Sequence, residues 1–123
     1  MRRILIAINE IELKATLLDT PTADAIYNAL PFQGIAQKWG EEIYFEIPIK
    51  MKQEPEAREE VKVGDLAFWP VGSAFCIFFG RTPVSISNKP RAYSPVNVFG
   101  RIEGNPDALK EVRSQILVNI KKI

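Results

Sequence analysis

The chain has 123 residues, of which 16 are basic and 15 acidic, giving a formal net charge of +1. This length fits one domain over residues 1–123, and the near-neutral charge argues against a nucleic-acid partner or an anionic membrane surface. The chain has no histidine and one cysteine. These counts exclude the usual zinc sites, Ser-His-Asp and Cys-His catalysis and an internal disulfide, so no metal or cofactor is expected.

The N-terminal segment predicts a β-hairpin. Strands over residues 3–8 and 11–18 are joined by Asn9-Glu10, and apolar and polar side chains alternate along the second strand.

The N-terminal apolar stretch is too short for a signal peptide, and no stretch approaches the roughly 18 apolar residues of a membrane-spanning helix. We therefore expect a cytoplasmic protein without a membrane partner.

A short amphipathic helix follows the hairpin. Thr20 can cap it, Pro21 occupies the first turn where its missing N–H costs nothing, and Ile26 and Leu30 recur at helical spacing before Pro31 ends the helix. A helix of about ten residues is not stable alone in water. It must therefore pack against a sheet or close the end of a barrel.

Alternation of apolar and polar side chains then predicts strands over residues 34–39 and 43–49, separated by a turn at Gly40-Glu41. The following segment, residues 50–62, is charged and lacks apolar periodicity. We expect it to form an exposed loop, with strand character possible at either end. Its charges are of both signs, which is typical of a solvated surface rather than of a binding tail.

Aromatic residues concentrate between Gly64 and Pro83. A strand that begins near Leu66 is followed by turn residues at 70–73 and by an apolar run from Ala74 to Phe79. Because that run has no polar face, both of its sides should be covered, either within a barrel or beneath helices.

The last third of the chain alternates loops with short elements. Residues 82–95 contain three prolines and predict either a disordered surface loop or a lid beside a site. We then expect a strand over residues 96–99, a turn over 100–104, a short helix opened by Asn105-Pro106 and a last strand over 116–120. Eight or so strands with two short helices predict a mainly β fold, either an antiparallel barrel or a sandwich, and of the two the closed barrel leaves no exposed edges.

Two segments resemble the cyclophilin prolyl isomerases. Residues 72–77, GSAFCI, are similar to their Gly-Ser-Gln-Phe-Phe-Ile segment, and residues 96–104, VNVFGRIEG, to their Val-Val-Phe-Gly-Lys-Val-x-x-Gly segment. Over nearly the whole chain, blocks such as WGEEIYFEIP and SPVNVFGRI resemble a family of small, uncharacterised bacterial and archaeal cyclophilin-like proteins. The resemblance implies a closed eight-stranded antiparallel barrel with two short capping helices. More remotely, the chain is similar to cyclophilin-like domains of enzymes that handle oxoproline or urea-derived amides.

The sequence departs from the prolyl isomerases where their site residues lie. Ala74 stands at the position of their glutamine, Cys76 at that of the second phenylalanine and Val96 at that of the histidine. No arginine lies between Arg3 and Arg58, so their early-strand arginine has no direct counterpart. That arginine helps to lower a barrier of about 18–20 kcal/mol to rotation of the amide. Efficient prolyl isomerisation is therefore not expected.

We expect instead a pocket on the barrel with aromatic walls and a few polar groups that fix the orientation of a ligand. The candidate ligand-binding residues are Trp39, Tyr44, Phe68, Trp69, Phe79, Arg81, Thr82 and Asn97. The tryptophans are favoured because an indole N–H needs a partner. Each aromatic residue could equally belong to the core or to a homodimer interface, and Arg81 could be an exposed cation at the end of a strand.

Three functions remain open from the sequence. The preferred hypothesis is a module that binds a small molecule or a peptide without efficient prolyl isomerisation. The second is a prolyl isomerase with rearranged catalytic groups. The third is a small-molecule enzyme, of the type that acts on amides or oxoproline, with Asp65, Glu41 or Glu42 as its base.

Overall fold

The computed structural model describes residues 2–123. This part of the chain forms nine β-strands, one α-helix and one 3-10 helix. In chain order these are β1 (Arg3–Ile8), β2 (Ile11–Leu17), α1 (Pro21–Ala29), β3 (Phe32–Trp39), β4 (Glu42–Glu46), β5 (Arg58–Glu60), β6 (Asp65–Trp69), β7 (Ala74–Phe78), β8 (Arg91–Ile102), the 3-10 helix (Asp107–Glu111) and β9 (Ile116–Lys122). None of the helices in residues 2–123 is long and apolar enough to cross a membrane.

Eight of the strands close into a ring. Every pairing is antiparallel, and the order around the ring is β2, β1, β9, β3, β4, β7, β6 and β8, with β8 pairing back to β2. The closing seam joins residues 15–17 of β2 to residues 100–102 of β8. The closed eight-stranded antiparallel barrel predicted from the sequence is therefore confirmed.

The predicted hairpin and the predicted first helix are also observed. The Oγ1 atom of Thr20 accepts a hydrogen bond from the backbone N–H of Ala23 at 3.0 Å, which caps the start of α1. Ala23 and Ile26 are fully buried, so the helix packs its apolar face onto the barrel. The second predicted helix is a single 3-10 segment that buries Leu109.

Side chains of the central strands point alternately into and out of the ring. Ile43, Phe45, Phe68 and Phe75 belong to the large apolar core inside it. A second apolar cluster lies on the outer face of β6 and β7. It consists of Val61, Ala67, Ala74, Cys76, Phe78, Ala92 and Val96. Strand β7 is thus buried on both faces, as its unbroken apolar run predicts, and its outer face is covered by β8 rather than by a helix.

Strand β8 corrects two expectations about the C-terminal third. The segment expected to be a loop up to residue 95 becomes a strand at Arg91, and this early half of β8 pairs with β5, which lies outside the ring. The turn expected at residues 100–104 is instead strand as far as Ile102. Gly100 serves close approach there, because a Cβ atom on it would lie 2.9 Å from the backbone oxygen of Thr16 across the closing seam.

Candidate functional site

A cavity of about 270 Å³ opens on the outer face of the ring, between strands β4, β6 and β7 and the early half of β8. We call it the outer pocket. It is lined by Trp39, Glu42, Tyr44, Trp69, Cys76, Ala92, Tyr93 and Val96. Its surface is mostly apolar and its polar groups are few, which is the usual character of a small-molecule site.

The ring supplies one wall of the outer pocket. Trp39 at the end of β3 pairs with Glu42 at the start of β4, and Tyr44 pairs with Cys76 of β7. Glu42 and Tyr44 are two residues apart and therefore share a face of β4, whereas Ile43 between them points into the core. The same alternation that builds the core thus places a carboxyl and two aromatic rings on the outer face.

Strand β8 supplies the opposite wall. The ring of Tyr93 lies edge-to-face with Trp39, with centroids 6.3 Å apart, and edge-to-face with Trp69, with centroids 6.2 Å apart. Tyr93 therefore bridges the two tryptophans although 70% of its surface remains exposed. We call Trp39, Tyr44, Trp69 and Tyr93 the aromatic cage.

Contacts from two neighbouring segments fix the orientation of Trp69. Its indole N–H donates a hydrogen bond to the hydroxyl of Ser94 at 2.6 Å. On the side of the β6–β7 turn, Gly72 packs so closely that a Cβ atom on it would lie 2.5 Å from Cζ3 of the indole ring. The indole is therefore held in place from both the β8 side and the turn.

Glu42 carries the unusual electrostatics of the outer pocket. Its side chain is only 6% exposed, and its Oε1 atom is buried without a hydrogen-bond partner among the described residues. Burial raises the pKa of Glu42 to about 7, and the neighbouring thiol of Cys76 offsets part of the rise. Burial, together with the adjacent Glu42, also raises the pKa of Cys76, so this thiol stays protonated and is a poor nucleophile.

Three of the eight candidate ligand-binding residues line the outer pocket, namely Trp39, Tyr44 and Trp69. Two other aromatic candidates lie elsewhere. Phe68 is fully buried in the core, and Phe79 is 1% exposed within the same cluster. The phase of the strands explains this, because Phe68 points to the opposite face of β6 from Trp69.

The three polar candidates are absent from the lining of the outer pocket. Arg81 is exposed, and its guanidinium donates to the carbonyl of Ser85 at 3.4 Å. Thr82 is buried but donates its hydroxyl to the carbonyl of Arg91 at 2.5 Å, which ties down the loop before β8. Arg81 therefore matches the alternative given for it, an exposed cation at the end of a strand: its backbone carbonyl accepts a hydrogen bond from the N–H of Glu41, and its side chain lies along the following turn.

Asn97 is also used structurally. Its amide nitrogen donates to the hydroxyl of Thr22 at 3.2 Å and to the carbonyl of Lys52 at 2.9 Å, and its amide oxygen accepts from the N–H of Glu54 at 2.8 Å. This buried amide therefore joins helix α1, the loop before β5 and strand β8. It has little capacity left to bind a ligand.

The three candidate bases, Asp65, Glu41 and Glu42, differ in their hydrogen-bond partners and in whether they line the outer pocket. Asp65 is 1% exposed, but it accepts hydrogen bonds from Arg101 at 3.0 Å and from the N–H of Lys62 at 2.9 Å, which is a structural arrangement. Glu41 does not line the outer pocket, and Glu42 does. Within residues 2–123, no group of three or more acidic or thiol side chains is arranged to hold a metal ion.

Tyr93 and Ala92 were not identified from the sequence. Both lie in the segment that its prolines and serines predict to be a loop. A usable signal was present, since an isolated tyrosine among small and polar residues is seldom needed for a core. The polar character of strand β5, the partner of this segment, concealed the pairing.

The comparisons with known proteins agree with this architecture. The cyclophilin-like family model matches residues 2–121. The chain belongs to the cyclophilin-like family. It is also similar to a hypothetical protein from Archaeoglobus fulgidus of known solution structure, with 35% sequence identity, a TM-score of 0.83, and coverage of 99% of this chain and 95% of that one. No protein of curated function matches the chain.

In this cyclophilin-like protein, two of the positions that align with isomerase site residues lie in the lining of the outer pocket. Cys76 and Val96, which stand where prolyl isomerases have a phenylalanine and the histidine, both line it. Ala74, at the position of the isomerase glutamine, is buried beside them in the outer cluster. Two positions at which the sequence departs from the prolyl isomerases therefore lie in the lining of the outer pocket.

Proposed function

We propose that this cyclophilin-like protein is a binding module that takes a small molecule, or one side chain of a peptide, in the outer pocket. The observation that carries the proposal is the pairing of an aromatic cage with a buried carboxyl whose Oε1 atom has no partner. Buried polar atoms in folded proteins are nearly always hydrogen-bonded. An unpaired one in an apolar pocket is therefore suited to a ligand.

The composition of the pocket lining argues against efficient prolyl isomerisation. Among the described residues that line it there is no arginine, lysine or glutamine. A neutral or acidic side chain such as Glu42 cannot supply the guanidinium fork that favours a pyramidal proline nitrogen. In a protease-coupled assay on Xaa-Pro peptides we expect the uncatalysed rate, and acceleration would revive the isomerase alternative.

Binding can be tested with the two tryptophans of the chain, both of which line the pocket. Their indole N–H signals in NMR spectra should shift when a ligand from a panel of metabolites and short peptides enters. Tyr93→Ala should weaken binding of that ligand about tenfold or more, because Tyr93 bridges the two indoles. Arg81→Ala is the matched control, since Arg81 is also exposed but does not line the pocket. A panel without any shift would contradict the proposal.

The small-molecule enzyme remains a second candidate because of Glu42. A carboxyl with a pKa near 7 in a pocket has the properties of a general acid or base. On any substrate found in the panel, the rate should change with pH around 7, and Glu42→Gln should abolish both the activity and this dependence. A rate that is unchanged in Glu42→Gln would exclude Glu42 as the acid or base, and a panel without any turnover would remove the enzyme alternative and leave the binding module.

A further inference from the structure

The aromatic cage favours a particular class of ligand. The faces of tryptophan and tyrosine rings carry negative electrostatic potential and attract cations, most strongly when water is excluded. Trp39 and Trp69 are each partly buried and are held at a fixed angle by Tyr93, with interplanar angles of 74° and 84°. Such rings at steep angles can present faces and edges to one compact group from several directions.

The charges around the outer pocket also favour a cationic ligand. The titratable side chains that line it are Glu42 and Tyr44 on β4, Cys76 on β7 and Tyr93 on β8. Of these, Glu42 is the one that becomes negatively charged near neutral pH, because burial keeps the thiol of Cys76 protonated. No basic side chain among the described lining residues could neutralise it. An anionic ligand would therefore be repelled, and a cation would be attracted.

The unpaired Oε1 atom of Glu42 indicates which kind of cation the pocket favours. Oε1 of Glu42 is buried and accepts no hydrogen bond within residues 2–123, so a ligand that donates one removes the cost of an unsatisfied polar atom. A quaternary ammonium has no N–H to donate. An alkylammonium that keeps at least one N–H offers a positive charge to the rings and a charge-assisted hydrogen bond to the carboxylate.

We propose that the outer pocket recognises an alkylammonium group that retains an N–H, with Oε1 of Glu42 accepting the hydrogen bond and the aromatic cage surrounding the alkyl groups. This inference rests on the proposed binding function and specifies its ligand. A methylated or otherwise alkylated amine, free or at the end of a peptide side chain, has the required shape. The pocket of about 270 Å³ accommodates such a head group and leaves the rest of the ligand in solvent.

Three probes of nearly equal size separate the contribution of the positive charge from that of the N–H donor. They are N,N-dimethylaminoethanol in its protonated form, choline, and the uncharged 3,3-dimethylbutan-1-ol, titrated at pH 8 while the indole N–H signals are followed. We expect protonated dimethylaminoethanol to bind most tightly, choline less tightly, and the alcohol about tenfold or more below the first. In Glu42→Gln the advantage of the ammonium over the alcohol should shrink.

A matched aromatic pair controls for loss of the fold. Tyr93→Leu should weaken binding of both cations. Tyr27→Leu should not, because the ring of Tyr27 lies away from the pocket beside the cations of Arg2 and Lys122. Both variants should give the dispersed NMR spectrum of the native barrel.

Each result decides the matter. Equal affinity for the alcohol and dimethylaminoethanol would overturn the assignment of a cation and leave the binding function standing. Tighter binding of choline than of dimethylaminoethanol would overturn the hydrogen bond to Glu42. If none of the three probes binds but a neutral metabolite from the wider panel does, the ligand class is wrong and the proposed function holds. If nothing in either set binds, both are overturned.

Discussion

The indole of Trp69 and the hydroxyl of Ser94 form a hydrogen bond of 2.6 Å that joins the ring to the early half of strand β8. Trp69 ends β6, and Ser94 lies next to Tyr93, so this bond sets the distance between two members of the aromatic cage. The opposite walls of the outer pocket are thereby connected by one polar contact.

Ser94→Ala should loosen this connection. The indole N–H would lose its partner in a half-buried position, at a cost of about 1–2 kcal/mol in the free energy of unfolding, and ligand affinity should fall with it. Ser87→Ala is a suitable control, because the hydroxyl of Ser87 donates to Glu60 at an exposed site. Urea unfolding and titration with the same ligand measure both effects. Identical behaviour of the two variants would contradict a role for Ser94.

Gly72→Ala should disturb the same wall from the other side. The added methyl would lie 2.5 Å from Cζ3 of Trp69, so the indole must move toward the pocket or the turn must shift. Overpacking of this kind costs about 1–3 kcal/mol. We expect weaker ligand binding and a displaced indole N–H signal. Val71→Ala changes an exposed neighbour in the same turn and should leave both unchanged. An unmoved Trp69 signal in Gly72→Ala would argue that the ring is not held by this contact.

Glu42→Gln should make stability less dependent on pH. In the folded protein Glu42 keeps its proton up to about pH 7, whereas in the unfolded chain it loses the proton near 4.5. The unfolded state is therefore favoured progressively as pH rises from 4.5 to 7, by an amount that reaches about 3 kcal/mol and is constant above that pH. The glutamine side chain of the variant does not ionise, so its free energy of unfolding does not fall for this reason.

Unfolding in urea between pH 4.5 and 8 measures the difference between Glu42→Gln and the wild type. As pH rises through this range, the free energy of unfolding of Glu42→Gln should increase relative to that of the wild type. Glu46→Gln, at an exposed position on the same strand, serves as the control and should follow the wild type. A constant difference between Glu42→Gln and the wild type across the range would show that the buried carboxyl is already ionised or already paired.

Asn97→Ala should destabilise the fold without changing the ligand preference. Three hydrogen bonds to Thr22, Lys52 and Glu54 would lose their common partner in a buried setting, which should cost about 3 kcal/mol in the free energy of unfolding. Asn119→Ala, at an exposed position of β9, should cost much less. Calorimetry and ligand titration at a temperature where both variants are folded make the comparison. A selective loss of affinity in Asn97→Ala would return Asn97 to the binding site.

The barrel was predictable because its strands obey simple rules. Alternation along β2 and β4, the apolar run of β7 and the capped helix at Thr20 each produce a distinct local pattern. The closed ring then follows from the number of strands and the cost of unpaired edges. The early half of β8 differs from the expected loop because its structure comes from a distant partner. This proline-containing, polar segment is a strand because it pairs with β5, which lies at the end of the charged segment where strand character is expected.

The candidate site was predictable in part for the same reason. Trp39, Tyr44 and Trp69 belong to strands with a clear phase, and they line the outer pocket. Phe68 illustrates the limit, because the sequence gives the alternation with Trp69 but not which of the two faces turns inward. Arg81 illustrates another limit: a long side chain after the end of a strand takes its direction from the turn that follows, here through the carbonyl of Ser85.

Strands β4, β6 and β7 each contribute one set of side chains to the interior of the ring and another to the outer pocket. The two sets interleave along the chain but never touch the same space. Substitutions at Glu42, Tyr44 or Trp69 can therefore change the lining of the outer pocket while Ile43, Phe45 and Phe68 continue to hold the barrel together. Proteins with this architecture can thus exchange alternate residues of these strands and keep the barrel, so a shared fold among them carries little information about a shared function.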